Sequence, residues 1–449
     1  MIENTNPVIA APIREPRAAA AAAAETRTHV RWFPVLALIS FGTALNYLDR
    51  TVLGIAAPSL SKDLGLTPAM MGVAFSAFSW SYALLQIPGG IFLDRFGTRV
   101  TYCIALVGWS AFTALMGAVN NLAGLIATRI GVGVFEAPCF PANSRILASW
   151  FPQHERARAN SIYSVGMYAG IGFFSVPLFY ITQTFGWRGL FFLVGGIGIA
   201  FGAIWWVMYR DPSQSRSVND AELGYIEAGG GGEFKGERVH FEWRQILALL
   251  RHRQIVGASL GQFGANSTLV FFLTWFPTYL VTARGMTYLN AGVMASVPFI
   301  AASIGVLVGG FISDMLLKRT GSANLARKLP VVSGLVLAST IVAANYVPAD
   351  DNVTVIAILS LAFFGQGMSN LGWTIISDVA PKKVIGLTAG IFNFSTNLAG
   401  IVTPIVIGIF FGMTGSFVGP LIYIGAVALL GAFSYTVILG DIHRLDIEA

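Results

Sequence analysis

Apolar residues along this chain come in long blocks, not short alternating periods. Blocks run over residues 33–58, 70–93, 101–119, 122–144, 159–183, 188–209, 254–283, 290–316, 329–346, 353–376, 386–412 and 416–439. About 20 apolar residues in a helix cross the hydrocarbon core of a bilayer, so the pattern predicts twelve transmembrane helices. The ~10-residue alternating strands of an outer-membrane barrel are not seen. A single long polar stretch, 211–252, contains the run Gly229 to Gly232 and many charges, and it divides the blocks six and six. The predicted fold class is an all-α membrane protein of two six-helix bundles, residues 31–210 and 253–440, joined by a cytoplasmic linker loop, 211–252. Residues 1–30 and 441–449 read as tails. In the first, the alanine run 18–24 is too weakly apolar for a signal-peptide core and Glu25 to His29 follow it, which predicts a disordered cytoplasmic segment.

Composition supports the lipid-facing reading. Only 11% of residues are charged and 55% are hydrophobic, whereas a soluble domain carries about 25% charged residues to cover its surface. Glycine is frequent, at 50 residues, which suits close helix contact in lipid. The two cysteines, Cys103 and Cys139, lie inside apolar blocks and offer neither a disulfide framework nor metal-ligand spacing. With the N-terminus inside, Lys62, Arg188 and Arg284 are the only basic residues on the far side. This positive-inside asymmetry predicts that both termini are cytoplasmic.

The halves repeat weakly. Span 2 ends Gly89-Gly90-Ile91-Phe92-Leu93-Asp94-Arg95, then Gly97-Thr98-Arg99; span 8 ends Gly309-Gly310-Phe311-Ile312-Ser313-Asp314, then Lys318-Arg319. Two repeats with a site between them are an architecture for alternating access. Asp94, Arg95 and Arg99, together with Arg145 at the cytoplasmic end of span 4, are candidate gate residues. Topology signalling alone is the alternative.

Charges within the spans stand out, since each costs about 2.5–3.5 kcal/mol on insertion scales. Span 1 contains Asp49-Arg50 and span 4 contains Arg129 and Glu136. Positions 129 and 136 are seven apart, so they share a helix face, with Gly133 between them leaving space. Protonation of either carboxyl would leave the set net positive and attract an anion, which outlines a coupling mechanism. Arg50 and Arg129 suit a carboxylate, and Asp49 and Glu136 suit a proton. The alternative is a set of buried ion pairs that fixes the helices. The C-terminal spans carry neutral groups instead: Gln262, Asn266, Gln366, Ser369, Asn370, Trp373, Thr374, Asn393 and Asn397. These suit the polar body of a substrate, and each suits interhelical hydrogen bonding equally well.

Several stretches resemble the major facilitator superfamily and, within it, the anion:cation symporter family. They are Asn46-Tyr47-Leu48-Asp49-Arg50; Phe75 to Trp80 with Tyr82 and Gln86 to Gly90; Glu136-Ala137-Pro138 through Arg145; Thr274-Trp275-Phe276-Pro277; and Gly390 to Phe394 with Asn397 to Ile401. The chain is most similar to bacterial symporters for glucarate, galactarate and galactonate. The resemblance implies the major facilitator fold in the bacterial cytoplasmic (inner) membrane and uptake of a small organic anion with protons. It implies Asp49 and Glu136 as the protonatable pair and Arg50 and Arg129 as anion-binding residues. Tyr47, Tyr82, Gln262, Trp373 and Asn393 match cavity positions. Met167 stands where such carriers have a glutamine, and a lost amide removes a partner for a substrate hydroxyl. This raises the odds of an aromatic or other carboxylic acid of the phthalate, hydroxybenzoate or hydroxyphenylacetate type. An anion exchanger is a further alternative.

A membrane-embedded enzyme or sensor is the remote alternative. His29, His154, His240, His252 and His443 all lie in tails or loops, so no intramembrane imidazole serves as base or ligand. The expected partners are the organic anion, protons and the bilayer. No cofactor, metal or nucleic acid is expected, and the protein is expected to act as a monomer.

Overall fold

The computed structural model describes residues 27–232, 243–381 and 384–445. The readings made for 1–26, for 233–242 of the linker and for 446–449 lie outside the described residues. Among the described residues every regular element is helical. The first half consists of α1 (Leu36–Asp63), α2 (Pro68–Met116), α3 (Leu122–Glu136), α4 (Cys139–Trp150) and α5 (Gln153–Met208). The linker carries α6 (Asp220–Ala228) and α7 (Trp243–Arg251). The second half consists of α8 (Arg253–Thr274), α9 (Tyr288–Thr320), α10 (Ala323–Ser339), α11 (Asn352–Met368), α12 (Gly372–Val379), α13 (Ile385–Thr414) and α14 (Val418–Phe433).

Helix starts are written in the sequence. Thr67, Asn121, Asn219, Thr287, Ser322 and Asp351 each accept a hydrogen bond from the backbone N–H three residues on, which satisfies a donor the helix leaves free. Gly97 (φ 74°) and Gly186 (φ 70°) bend α2 and α5 sharply enough that each is two consecutive helices. Only glycine takes such angles without strain.

Among the described residues, ten helices are long and apolar enough to cross a membrane. Two differences separate this from the sequence reading. Helix α1 is 28 residues long, but Asn46, Asp49 and Arg50 lower its apolarity. The expected blocks 159–183 and 188–209 form one apolar stretch, Gly170–Met208, bent at Gly186.

The halves meet through α2 against α13 and α5 against α9. These contacts gather at the end remote from the linker. A Cβ on Gly72 would lie 2.5 Å from the Pro404 carbonyl oxygen, and one on Gly54 would lie 2.7 Å from the Leu273 and Thr274 carbonyls. Phe75 packs edge-on against Trp275 at 5.3 Å. At the linker end, Gly90, Gly310, Gly386 and Gly390 have open space beside them. The two halves are thus closed at one end and parted at the other.

The linker is anchored to the first half. Buried Arg31 reaches Glu155 at 2.8 Å and Glu222 on α6 at 2.9 Å. Glu222 also accepts from the Thr28 hydroxyl and from the Val30 and Arg31 backbone N–H groups. Burial alone would raise the Glu222 carboxyl; these hydrogen bonds outweigh it and hold the group below the usual carboxylate range. Glu155 is lowered in the same way, with burial opposed by bonds from Arg31 and Tyr225.

A depressed folded-state value gives stabilisation that is present above the unfolded value, about 4.3, and lost as pH falls through the folded one. Linker docking, read by protease cleavage near α6, is therefore expected to be constant from pH 8 to 5 and to fail only in more acid solution. Glu222→Gln is expected to weaken docking by about 2 kcal/mol. Cleavage that rises already at pH 6 in the unaltered chain would exclude this account. Separately, Gly72→Val is expected to part the seam against Pro404. Cysteines placed beside it would then become more reactive to a membrane-impermeant thiol reagent, and unchanged labelling would contradict the seam.

Candidate functional site

The four intramembrane charges come together in the first half. Asp49 and Arg50 lie on α1, Arg129 on α3, and Glu136 at its last turn, where Pro138 ends the helix. Asp49 and Arg129 are each 2% exposed and Glu136 is wholly buried, while the Arg50 side chain keeps 15% of its surface open. Arg50 is the member of the set that reaches accessible space. Its guanidinium sits 4.9 Å from the Tyr47 ring centre, 4.8 Å from those of Phe78 and Tyr82, and 5.9 Å from Phe140. Ring faces attract a cation, by up to about 2 kcal/mol each when water is excluded. The aromatic cage holds the charge in place, and Nε and Nη2 make no hydrogen bond of good geometry.

Arg50 Nη2 lies 3.1 Å from Glu136 Oε2. Neither Glu136 oxygen receives a directed hydrogen bond, and Arg50 Nη2 and Nε donate none. The contact is therefore a charge pair with misaligned N–H vectors, weaker than a fork-to-fork bond. Arg129 stands over the Phe78 ring at 5.1 Å and makes one long bond, Nη2 to the Phe75 carbonyl at 3.5 Å; its Nε and Nη1 have no partner. Asp49 lies beside Trp109 and Thr113. Asp49 Oδ1, Trp109 Nε1 and Thr113 Oγ1 make no hydrogen bond of good geometry. A region dense in buried, incompletely paired polar atoms is costly if it serves only to hold helices together.

The space expected beside Gly133 is occupied. A Cβ there would strike Ser81 Oγ and the Phe78 carbonyl of α2, so the glycine brings α2 and α3 together instead of opening room. That contact sets Phe78 and Tyr82 against Arg50.

The second-half residues are placed less uniformly. Gln262 is buried and accepts from the Tyr435 hydroxyl at 3.2 Å, within its own half. Trp373 is 37% exposed and packs edge-on against Phe392 at 4.9 Å. Asn393 accepts from Asn397 Nδ2 through its backbone carbonyl at 2.8 Å and its side chain at 3.3 Å. Tyr47 and Tyr82 sit in the Arg50 cage as described. Two residues not among the site candidates read from the sequence, Asn46 and Tyr168, are also placed by the structure. Asn46 is fully buried with both amide atoms unpartnered. Tyr168 of α5 packs against Phe363 of α11 at 6.0 Å beside Gln366, bridging the halves. A signal for Asn46 existed, since it is an amide in a transmembrane block; Tyr168 is an ordinary aromatic in sequence.

The four candidate gate residues all contact their own half. Arg145 pairs with Asp94 at 3.3 Å and donates to the Leu93 carbonyl. Arg99 donates to the Trp206 carbonyl and stacks on that ring at 4.1 Å, and Arg95 lies 5.5 Å over Phe96. They lie at the parted end.

Residues 39–404 match the Major Facilitator Superfamily. The chain belongs to that family. It is 44% identical over 442 residues to the probable galactarate/D-glucarate transporter GudP of Escherichia coli K12, covering 96% of this chain and 98% of the relative. It is 43% identical to a D-galactonate transporter of Escherichia coli O6:H1, covering 92% and 97%. Among solved structures it resembles a D-xylose-proton symporter, with a TM-score of 0.70 at 14% identity over 91% of this chain and 98% of that one. It also resembles a bacterial homologue of the human lysosomal transporter Spinster in an inward-facing, unoccupied conformation, with a TM-score of 0.67 at 19% identity, covering 90% and 94%. The major facilitator protein described here is a multi-pass transporter of the bacterial inner membrane and not an enzyme.

Gly133→Ala is expected to force α2 and α3 apart and to cost about 1–3 kcal/mol, read as a lower thermal midpoint in detergent. An unchanged midpoint would show that the contact is not tight.

Proposed function

We propose that this transporter carries a small sugar acid, of the glucarate, galactarate, galactonate or hexuronate type, into the cell together with protons. It has twelve transmembrane helices, counting α1 and the two arms of each bent helix, and acts as a monomer. Both termini are cytoplasmic, by the distribution of basic residues. The parted end then faces the cytoplasm, and the conformation is inward-facing.

One observation carries this reading: Arg50 is caged by aromatic rings, partly accessible, and held by a single misaligned counterion, Glu136. While Glu136 is ionised it occupies Arg50. When Glu136 takes a proton, Arg50 loses its counterion, and a substrate carboxylate replaces it. Anion and proton thus favour each other's binding, which is coupling in the thermodynamic sense. Arg129, with two free donors, keeps the site positive, and Asp49 is the second proton carrier. Trp373, Asn393 and Gln262 present hydrogen-bonding groups to substrate hydroxyls. The names of the similar proteins support a sugar acid. Asp94 and Arg145 stiffen the cytoplasmic end of the first half, where the gate closes when the cavity turns outward.

A second substrate reading has its own support. Met167 is buried where a polar side chain would be expected, and the Arg50 cage is aromatic, which favours an aromatic carboxylate.

The test is uptake of labelled glucarate, galactonate and 4-hydroxybenzoate into proteoliposomes, with and without an inward proton gradient. Gradient-driven accumulation of a sugar acid is expected. Accumulation of 4-hydroxybenzoate alone would move the substrate to the second reading. Asp49→Asn is expected to lower gradient-driven accumulation at least tenfold and to spare exchange of internal for external substrate; undiminished accumulation would remove Asp49 as a proton carrier.

A further inference from the structure

A cavity of about 450 Å³ opens at the linker end of the second half, far from the charged site. Its walls bring together His252, Arg253, Lys328 and His443 against a single acid, Asp441. The cations are already oriented. Arg253 donates through Nε to the Ile438 carbonyl at 3.1 Å and through Nη2 to the Val437 carbonyl at 3.2 Å; Lys328 donates to the Gly440 carbonyl. These carbonyls are neutral, so both positive charges persist, and Lys328 has two further N–H groups. The Asp441 carboxylate is engaged by Asn324 at 2.8 Å. Gln254, 3% exposed, directs its amide nitrogen to the Asp441 carbonyl and to His443. An occupant that satisfies this wall is an anion.

Apolar surface leads to the same place. Leu430, Phe433 and Val437 follow the lipid-facing side of α14 and its extension, 65%, 53% and 54% exposed, and Val437 itself lines the cavity. On the other side, the short amphipathic helix α7 buries Leu249 and exposes Leu247 and Leu250, just before His252 and Arg253. Amphipathic helices with such exposed apolar groups lie at the headgroup level of a bilayer.

We propose that this cavity binds the headgroup of an anionic phospholipid. The phosphate sits between Arg253 and Lys328, and one acyl chain follows Leu430, Phe433 and Val437. Phosphate contact by basic groups at the cytoplasmic side of a transmembrane bundle is the chemistry of lipid recognition. Helix α7 packs beside the site, and through it the lipid ties the linker to the second half as the Arg31 cluster ties it to the first.

The experiment measures thermal unfolding of the purified full-length protein in detergent with equal mole fractions of phosphatidylglycerol or phosphatidylcholine. Phosphatidylglycerol is expected to raise the midpoint by several degrees more than phosphatidylcholine does, and Lys328→Gln is expected to abolish at least half of that difference. Because Lys328 also caps a helix end, the double variant Phe433→Ser/Val437→Ser serves as a second probe; it leaves every cap intact and is expected to reduce the difference as well. Equal shifts for the two lipids, or shifts unaltered in both variants, would overturn the proposal. Protection of the same size by millimolar inorganic phosphate alone would overturn it too, since the site would then hold a soluble anion.

Discussion

Charge in a hydrocarbon medium has to be answered locally, because no water is there to answer it. The four groups Asp49, Arg50, Arg129 and Glu136 sum nominally to zero, and this balance is what allows them to be buried in one half of a membrane protein. The balance is electrostatic and not geometric. Arg50 has rings instead of hydrogen-bond acceptors around it, Arg129 has one long bond, and Glu136 has a misdirected partner. Such a set tolerates exchange of one anionic group for another, because no fork of aligned bonds has to break first. The tight packing nearby serves this looseness: Gly133 lets α2 press against α3 and position Phe78 and Tyr82 around the cation.

The two halves divide the work unequally. The first has the charge and the second has amides, most of them engaged. Gln262 is held by Tyr435, Asn266 by the Thr396 carbonyl and Asn397 by Asn393. In the proposed function, a substrate arriving at the second half would compete with existing hydrogen bonds of about 1 kcal/mol net each, whereas at Arg50 it would compete with a charge. The carboxylate would there meet Arg50, and the polar body of the substrate would meet side chains that must first give up these bonds.

Much of this was legible in the chain because lipid leaves few options: only helices satisfy the backbone there, so apolar block length reads directly as architecture. The charged residues were legible for the same reason, as exceptions to apolarity. Pairing was not. Nothing in the spacing says that Arg50 meets Glu136 instead of Asp49, its neighbour in sequence, because that depends on how α1 is rotated against α3. Trp109 and Thr113 lie in an apolar block with no mark of being near a carboxyl. Glu222 looked like one charge among many in a polar linker, yet it is wholly buried under Arg31. Gly133 was read as leaving room, because a missing side chain in a sequence does not say whether a cavity or a neighbouring backbone takes its place.

The seam between the halves has one more consequence. At Gly72 and Gly54 it is made of backbone against backbone, with carbonyl oxygens of Pro404, Leu273 and Thr274 facing glycine Cα atoms. Side chains have rotamers and can give way by degrees; main chain inside a helix has none. A closure of this sort does not yield to a change of rotamer; it opens only when one helix moves bodily away from the other. Passage through such an entrance therefore calls for displacement of whole helices, a movement that turning a side chain cannot supply.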